Sequence, residues 1–241
     1  MTLRRALGPA LIGGGALVIA ALLVALGVWQ LQRREWKHEL IAAIAARVHA
    51  APAPLPVPAS WPDITAARDA YRRFAAEGHF LYDRETLVRA TTALGSGYWV
   101  MTPLQTSDGT VLVNRGFVPP DRRDPAARGE SRAEAPVRVT GLLRITEPGG
   151  GFLRSNDPAG ERWYSRDVAA IAARRGLGAT APFFLDAEAG PDRDSYPVGG
   201  LTVISFADNH LGYALTWFGL ALLVLGGAVT VLRHRQSGGE G

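Results

Sequence analysis

Hydrophobic and polar positions are spread unevenly along this chain. No charged residue occurs from Gly8 to Leu31, or from Leu211 to Leu232. At ~1.5 Å of rise per residue, helices over these spans reach roughly 36 and 33 Å. The hydrocarbon core of a bilayer is ~30 Å thick. A soluble core helix rarely runs that far without a polar interruption. Both spans are therefore read as transmembrane helices, at residues 8–31 and 210–232. The first is longer than the ~7–15-residue apolar stretch of a signal peptide. No small-residue cleavage site stands in Trp29–Lys37 just after it, so an uncleaved anchor is expected.

Between the spans the pattern changes twice. Leu40, Ile41, Ile44 and Val48 recur at helical spacing, which continues the first helix past the apolar span. Then Pro52, Pro54, Pro56, Pro58 and Pro62 end it and predict an extended spacer, or a strap lying on the domain. Strands are predicted over 73–82, 86–92, 98–105, 111–118, 137–145 and 202–206, with a short one at 183–186. Ser107-Asp108-Gly109 reads as a hairpin turn and Gly95-Ser96-Gly97 as another turn. Residues 119–136 read as a charged surface loop, and Trp163–Arg175 as a helix closed by Gly176. The expected fold class is an α+β membrane protein: two transmembrane helices flank a mainly antiparallel β extracytoplasmic domain with helical additions. The expected boundaries are an exit helix and Pro-rich spacer at 32–62, the β-rich domain at 63–209, and a tail at 233–241.

Charge refines this picture. The 241 residues hold 26 Lys and Arg against 22 Asp and Glu, a net charge of +4. The part from 33 to 209 carries 22 basic and 21 acidic residues, so the surplus sits on the terminal arginines. No basic stripe with interleaved aromatics remains to support nucleic-acid binding. Arg233 and Arg235 follow the second span, whereas Asp192, Arg193, Asp194 and Asp208 precede it. That contrast predicts both termini in the cytoplasm and the domain outside it. A bacterial plasma membrane is the simplest setting, because too few residues precede the first span for a mitochondrial transit peptide.

Candidate chemistry is sparse. The chain has no cysteine and two methionines, which leaves neither disulfides nor a soft copper site. There is no P-loop, no His-Glu-x-x-His pair and no Gly-x-Ser-x-Gly elbow. Histidines 38, 49, 79, 210 and 234 lack zinc-like spacing. These absences predict a protein that is not an enzyme.

Several strings carry a family likeness. Leu26-Gly27-Val28-Trp29-Gln30-Leu31-Gln32-Arg33-Arg34-Glu35-Trp36-Lys37 resembles the first-helix exit of the Surfeit locus protein 1 family. Val111–Pro119 is similar to its central strand motif, and Val139–Arg144 with Glu147-Pro148 to the strand that follows. Asn156-Asp157-Pro158 and Trp163–Asp167 fit its next segment. Asp208–Trp217 resembles the approach to the second helix, where the family usually has Asn-Asn-His-Leu, so Asp208 is a departure. The matches run in order across nearly the whole chain.

The resemblance implies an assembly factor for haem-copper cytochrome c oxidase, one that assists delivery of haem a to subunit I. Haem a is the implied cofactor. Oxidase subunit I and a haem a synthase are the implied partners, beside the lipid bilayer. His210 is the implied ligand of the haem iron. His210, Ala214, Trp217 and Ala221 share a helix face, on which the small Ala214 and the Trp217 indole are candidates to form one wall for a porphyrin. Trp29 is a candidate to pack on haem, or else belongs to an interfacial aromatic belt; Arg33 or Arg34 is a candidate partner for a propionate. Gln30 either bonds across to the second helix or faces headgroups. Arg115 is expected to pair with a carboxylate such as Asp167, and His38 and His49 to be solvated. The alternative reading is a membrane-anchored scaffold for oxidase subunits that does not bind haem.

Overall fold

The computed structural model describes residues 2–129, 135–190, 195–202 and 208–237. In chain order its elements are helix α1 (Thr2–His49), strand β1 (Ala53–Pro54), a 3-10 turn (Pro58–Asp63), the single-turn helix α2 (Ala66–Asp69), strands β2 (Arg73–Phe80), β3 (Thr86–Thr92), β4 (Gly95–Thr106), β5 (Gly109–Val118) and β6 (Val137–Ile145), the short pair β7 (Gly150–Gly151) and β8 (Arg154–Ser155), helix α3 (Val168–Arg175), strand β9 (Thr180–Ala187) and helix α4 (His210–Ser237). The chain forms two compact units, residues 1–43 with 205–241, and residues 44–204.

The second unit is built on one sheet in the order β1-β2-β6-β9-β5-β4-β3. Strand β2 also pairs with β4, through His79 opposite Gln105 and Phe80 opposite Leu104. That short seam closes β2, β6, β9, β5 and β4 into a ring. Within the ring only β5 and β9 run parallel; the other pairs are antiparallel. The result is a five-stranded, partly open barrel with Greek-key connections.

Strand alternation fills two cores. Val111, Val113, Phe183 and Leu185 face one, with Phe74, Leu104 and Leu143. Leu112 and Phe184 face the other, with Val88, Met101, Trp163, Val168 and Ile171. The central strands β5 and β9 are therefore apolar on both faces, and read in sequence as near-continuous hydrophobic runs rather than alternation.

Several expectations are met and others are corrected. The hairpin at Thr106–Gly109 forms, and the Pro-rich segment is a strap: Ala53 and Pro54 pair alongside Phe74 and Ala75 of β2. The Trp61 indole donates to the Pro56 carbonyl at 2.9 Å and packs on the first core. Gly95-Ser96-Gly97 is not a turn, because pairing with Thr92, Thr91 and Ala90 starts there; the turn is Ala93-Leu94. The internal helix starts at Val168 rather than Trp163. The Asp167 carboxylate accepts from Ala170 N and fixes that start, and Gly176 ends the helix in the left-handed region at φ 61°. Trp163 instead fills the second core, and its carbonyl accepts from Arg89 N at the edge of β3. The expected surface loop contains two short 3-10 turns and one fully buried side chain, Arg128. The predicted strand at 202–206 lies, apart from Thr202, outside the described residues, as do residues 192–194.

The first unit holds the apolar helices. Both are long and apolar enough to cross a membrane. Their large side chains point outward, with Leu222 and Leu223 each 71% exposed.

Candidate functional site

Helices α1 and α4 pair antiparallel. Gly13 approaches Leu232, Gly27 lies under the Phe218 ring, and Gln30 meets His210. A Cβ at Gly27 would collide with that ring. Ala20, Ala214 and Ala221 are buried along the seam, so small residues let the helices approach closely. The expectation that Ala214 opens a wall beneath His210 is therefore corrected: Ala214 is 0% exposed.

The seam turns polar at one end. Gln30, Arg34 and His38 are four residues apart and share a face of α1. Across from them, the His210 ring Nδ1 lies 2.7 Å from Gln30 Oε1. The His38 ring Nε2 lies 2.6 Å from Asp208 Oδ2, and Arg34 Nε lies 3.7 Å from the same oxygen. His210 N donates to Asp208 Oδ1 at 3.2 Å, which seats the carboxylate at the N-terminus of α4. Partial desolvation pushes the Asp208 carboxyl up, but the His210 N–H and the His38 ring outweigh it and hold it below its ordinary value. His38 is exposed, as expected, and also meets Asp208 just before the second helix.

The predicted site residues separate into two groups. His210 and the half-buried Trp217 lie on one face of α4. Trp29 is 53% exposed and sits two residues from Gly27, on the far side of α1 from the seam. The Arg33 guanidinium lies over the Trp36 ring, 3.9 Å from its centroid. Among the described residues no hydrogen bond or ring contact joins Trp29 or Arg33 to His210. Gln30 does reach the second helix, one of the two alternatives the sequence left open.

An imidazole whose Nδ1 donates to this amide oxygen would keep a lone pair on Nε2. Among the described residues Nε2 meets no hydrogen-bond partner. No group of three or more His, Asp or Glu side chains is arranged to hold a metal ion among the described residues. The one donor the cluster leaves open is a single imidazole nitrogen, which would fit a group whose other metal ligands the protein does not supply.

Sequence reading missed a second cluster, on the outer wall of the barrel, on the face of β5 and β9 that also carries Leu112 and Phe184. The Asp186 carboxylate, 4% exposed, accepts from Asn114 Nδ2 (2.8 Å), Arg144 Nη1 (2.8 Å), Arg166 Nη1 (3.1 Å) and Thr202 Oγ1 (3.1 Å). Arg166 also forks onto both oxygens of Glu147. Burial raises the Glu147 pKa, but its bonds to Arg166 outweigh burial and leave it lowered. A cleft of about 470 Å³ borders the cluster, lined in part by Trp99. Arg115 pairs with Glu85 at 3.2 Å, not with Asp167, and Arg128 reaches the same Glu85 oxygen at 2.8 Å. Asp167 is occupied as the cap of α3 and as acceptor for Gly149 N.

These features define a class: a small barrel inserted in sequence between two apolar helices, which pair through small residues and carry a histidine where the second begins. The chain belongs to the SURF1 family, whose profile it matches over residues 17–222. It is 36% identical to Surfeit locus protein 1 of Rattus norvegicus over 222 residues, 85% of this chain and 70% of that protein. It is 34% identical to Surfeit locus protein 1 of Homo sapiens over 224 residues, 85% and 72% of the two chains. A SURF1-like protein of Monosiga brevicollis is 34% identical over 245 residues, 93% and 90%.

Proposed function

We propose that this protein is a non-enzymatic assembly factor for haem-copper cytochrome c oxidase, assisting delivery of haem a to subunit I. In this reading α1 and α4 anchor it in a bacterial plasma membrane, the barrel is periplasmic and both termini are cytoplasmic. The outward-facing leucines of α4 support the anchoring, because lipid is the solvent such a surface requires. The family supports the role.

The observation that carries the haem reading is the His210 ring, bonded at Nδ1 and open at Nε2. Haem a, when bound, would supply an iron that an imidazole nitrogen can ligate. His210 would hold it; Trp217, beyond the buried Ala214 on the same helix, belongs to this reading only as an outer contact. Trp29 and Arg33 belong to this reading only as outer contacts, since neither touches His210. A single protein ligand suits a carrier, because a second strong one would slow release.

The test is the absorbance spectrum of full-length protein purified in detergent after co-expression with a haem a synthase. Wild type is expected to show a Soret band, and His210→Ala to lose it and to lower assembled oxidase. Equal haem in both proteins removes His210 as the ligand.

One observation favours a scaffold that binds oxidase subunits without haem. His210, Gln30, Asp208, His38 and Arg34 also latch the two helices to each other. Wild type without a Soret band, but with a deletion phenotype in oxidase assembly, selects that reading.

A further inference from the structure

The bond that leaves Nε2 open comes from the other helix, 180 residues away in sequence. We infer that Gln30 is a positioning residue for His210: its side-chain oxygen holds the Nδ1 proton and fixes the tautomer that presents Nε2 to a haem iron. The inference rests on the haem reading above and names the residue that prepares the ligand.

A neutral imidazole ring has one N–H, and whichever nitrogen carries it cannot bind metal. The tautomer is set by the partner of the other nitrogen, and ligating histidines characteristically donate that second N–H to a carbonyl or carboxylate. Gln30 Oε1, at 2.7 Å, is such an acceptor. It is also held in place. Gly27, three residues earlier, is pressed against Phe218, and Arg34 and His38, one and two turns later, are tied to Asp208. The helix register therefore sets the ring orientation. An amide is a neutral acceptor, so it orients the ring without drawing it toward imidazolate as a carboxylate would. A ligand of moderate strength fits cargo that must leave.

Two measurements on the full-length protein in detergent test this. The first needs no haem. The chain has five histidines, and the His210 signals in a 15N-histidine spectrum are identified by their loss in His210→Ala. The expected result is a proton on Nδ1, relaxing toward the Nε2–H form in Gln30→Leu. A proton on Nε2 in wild type means the amide is turned to donate, and overturns the inference.

The second is titration with haem a. Gln30→Leu is expected to weaken binding about 10–100-fold. Gln30→Glu is expected to keep haem but lower its reduction potential and slow its transfer to apomyoglobin. If His210→Ala fails to bind while both Gln30 variants match wild type in affinity and potential, the haem reading stands and the positioning role falls. If wild type takes up no haem a, the haem reading falls, and the 15N spectrum still decides whether Gln30 sets the tautomer. Should Gln30→Leu not fold, an unchanged potential in Gln30→Glu overturns the role by itself.

Discussion

The cluster around Asp186 and the cluster around His210 both gather polar side chains from distant segments, but they are completed to different degrees. On the barrel wall, Asp186 accepts from four side chains and Arg166 bridges it to Glu147. At the helix ends, Asp208 accepts from the His210 N–H and meets the His38 ring and Arg34, yet the His210 ring beside it uses one of its two nitrogens. A closed network in a low-dielectric interior fixes a fold. One that stops an atom short has something left to offer. By this criterion the barrel cluster is architectural despite its adjoining cleft, and the helix-end cluster is the one our proposal takes as the site.

The comparison can be broken at three points. The largest effect is expected from Asp186→Ala. It leaves Arg144, Arg166 and Asn114 without their shared acceptor, and breaking a buried charge pair costs about 3–5 kcal/mol. Urea unfolding should show the barrel destabilised on that scale. A loss under about 1 kcal/mol would mean the cluster behaves as surface charge.

A smaller effect is expected from Gly27→Ile, which overpacks the seam at about 1–3 kcal/mol. Because the chain has no cysteine, Gly13→Cys with Leu232→Cys supplies a clean reporter pair. Cross-linking of that pair should fall in Gly27→Ile while barrel unfolding stays unchanged. Unaltered cross-linking would show that the helices do not meet there.

The smallest is a pH effect. The Glu147 carboxyl is lowered in the folded barrel, so its contribution is present above the unfolded pKa and lost as pH falls through the depressed value. Glu147→Gln should flatten the decline in barrel stability between about pH 5 and about pH 2. Parallel curves for variant and wild type would remove the Glu147–Arg166 pair from the acid response.

Charge spacing made the helices legible, and period-two alternation gave most strands. Thr86–Thr92 and Val137–Ile145 match their predicted bounds because each has one wetter face. The stretch at 183–186 reads as short because Phe183–Asp186 is buried on both faces, whereas the ends of β9 beyond it are wetter, with Pro182 exposed. Trp163 misled for a related reason: an apolar residue before Val168 looks like another helical turn, although the Asp167 cap marks the true start. At the helix ends, the place of His210 at the start of α4 was readable, and so was the spacing of Gln30, Arg34 and His38. Their partners were not, since Asp208 and His38 meet across 170 residues. The same holds for Asp186, whose partners come from four separate segments. Alternation describes which face of a strand is wet; it carries no information about which buried carboxylate meets which guanidinium.

Closure of the barrel has a consequence for the company this protein keeps. An open strand edge is a template on which another chain adds by hydrogen bonding. The seam at His79 and Phe80 removes two such edges and leaves β1 and β3 outermost. β1 is two residues long and includes Pro54, which has no N–H to donate, and Trp163 covers the middle of β3. A factor that, in our proposal, waits beside half-built subunits is surrounded by unfinished surfaces. Its own sheet gives them almost nothing to copy.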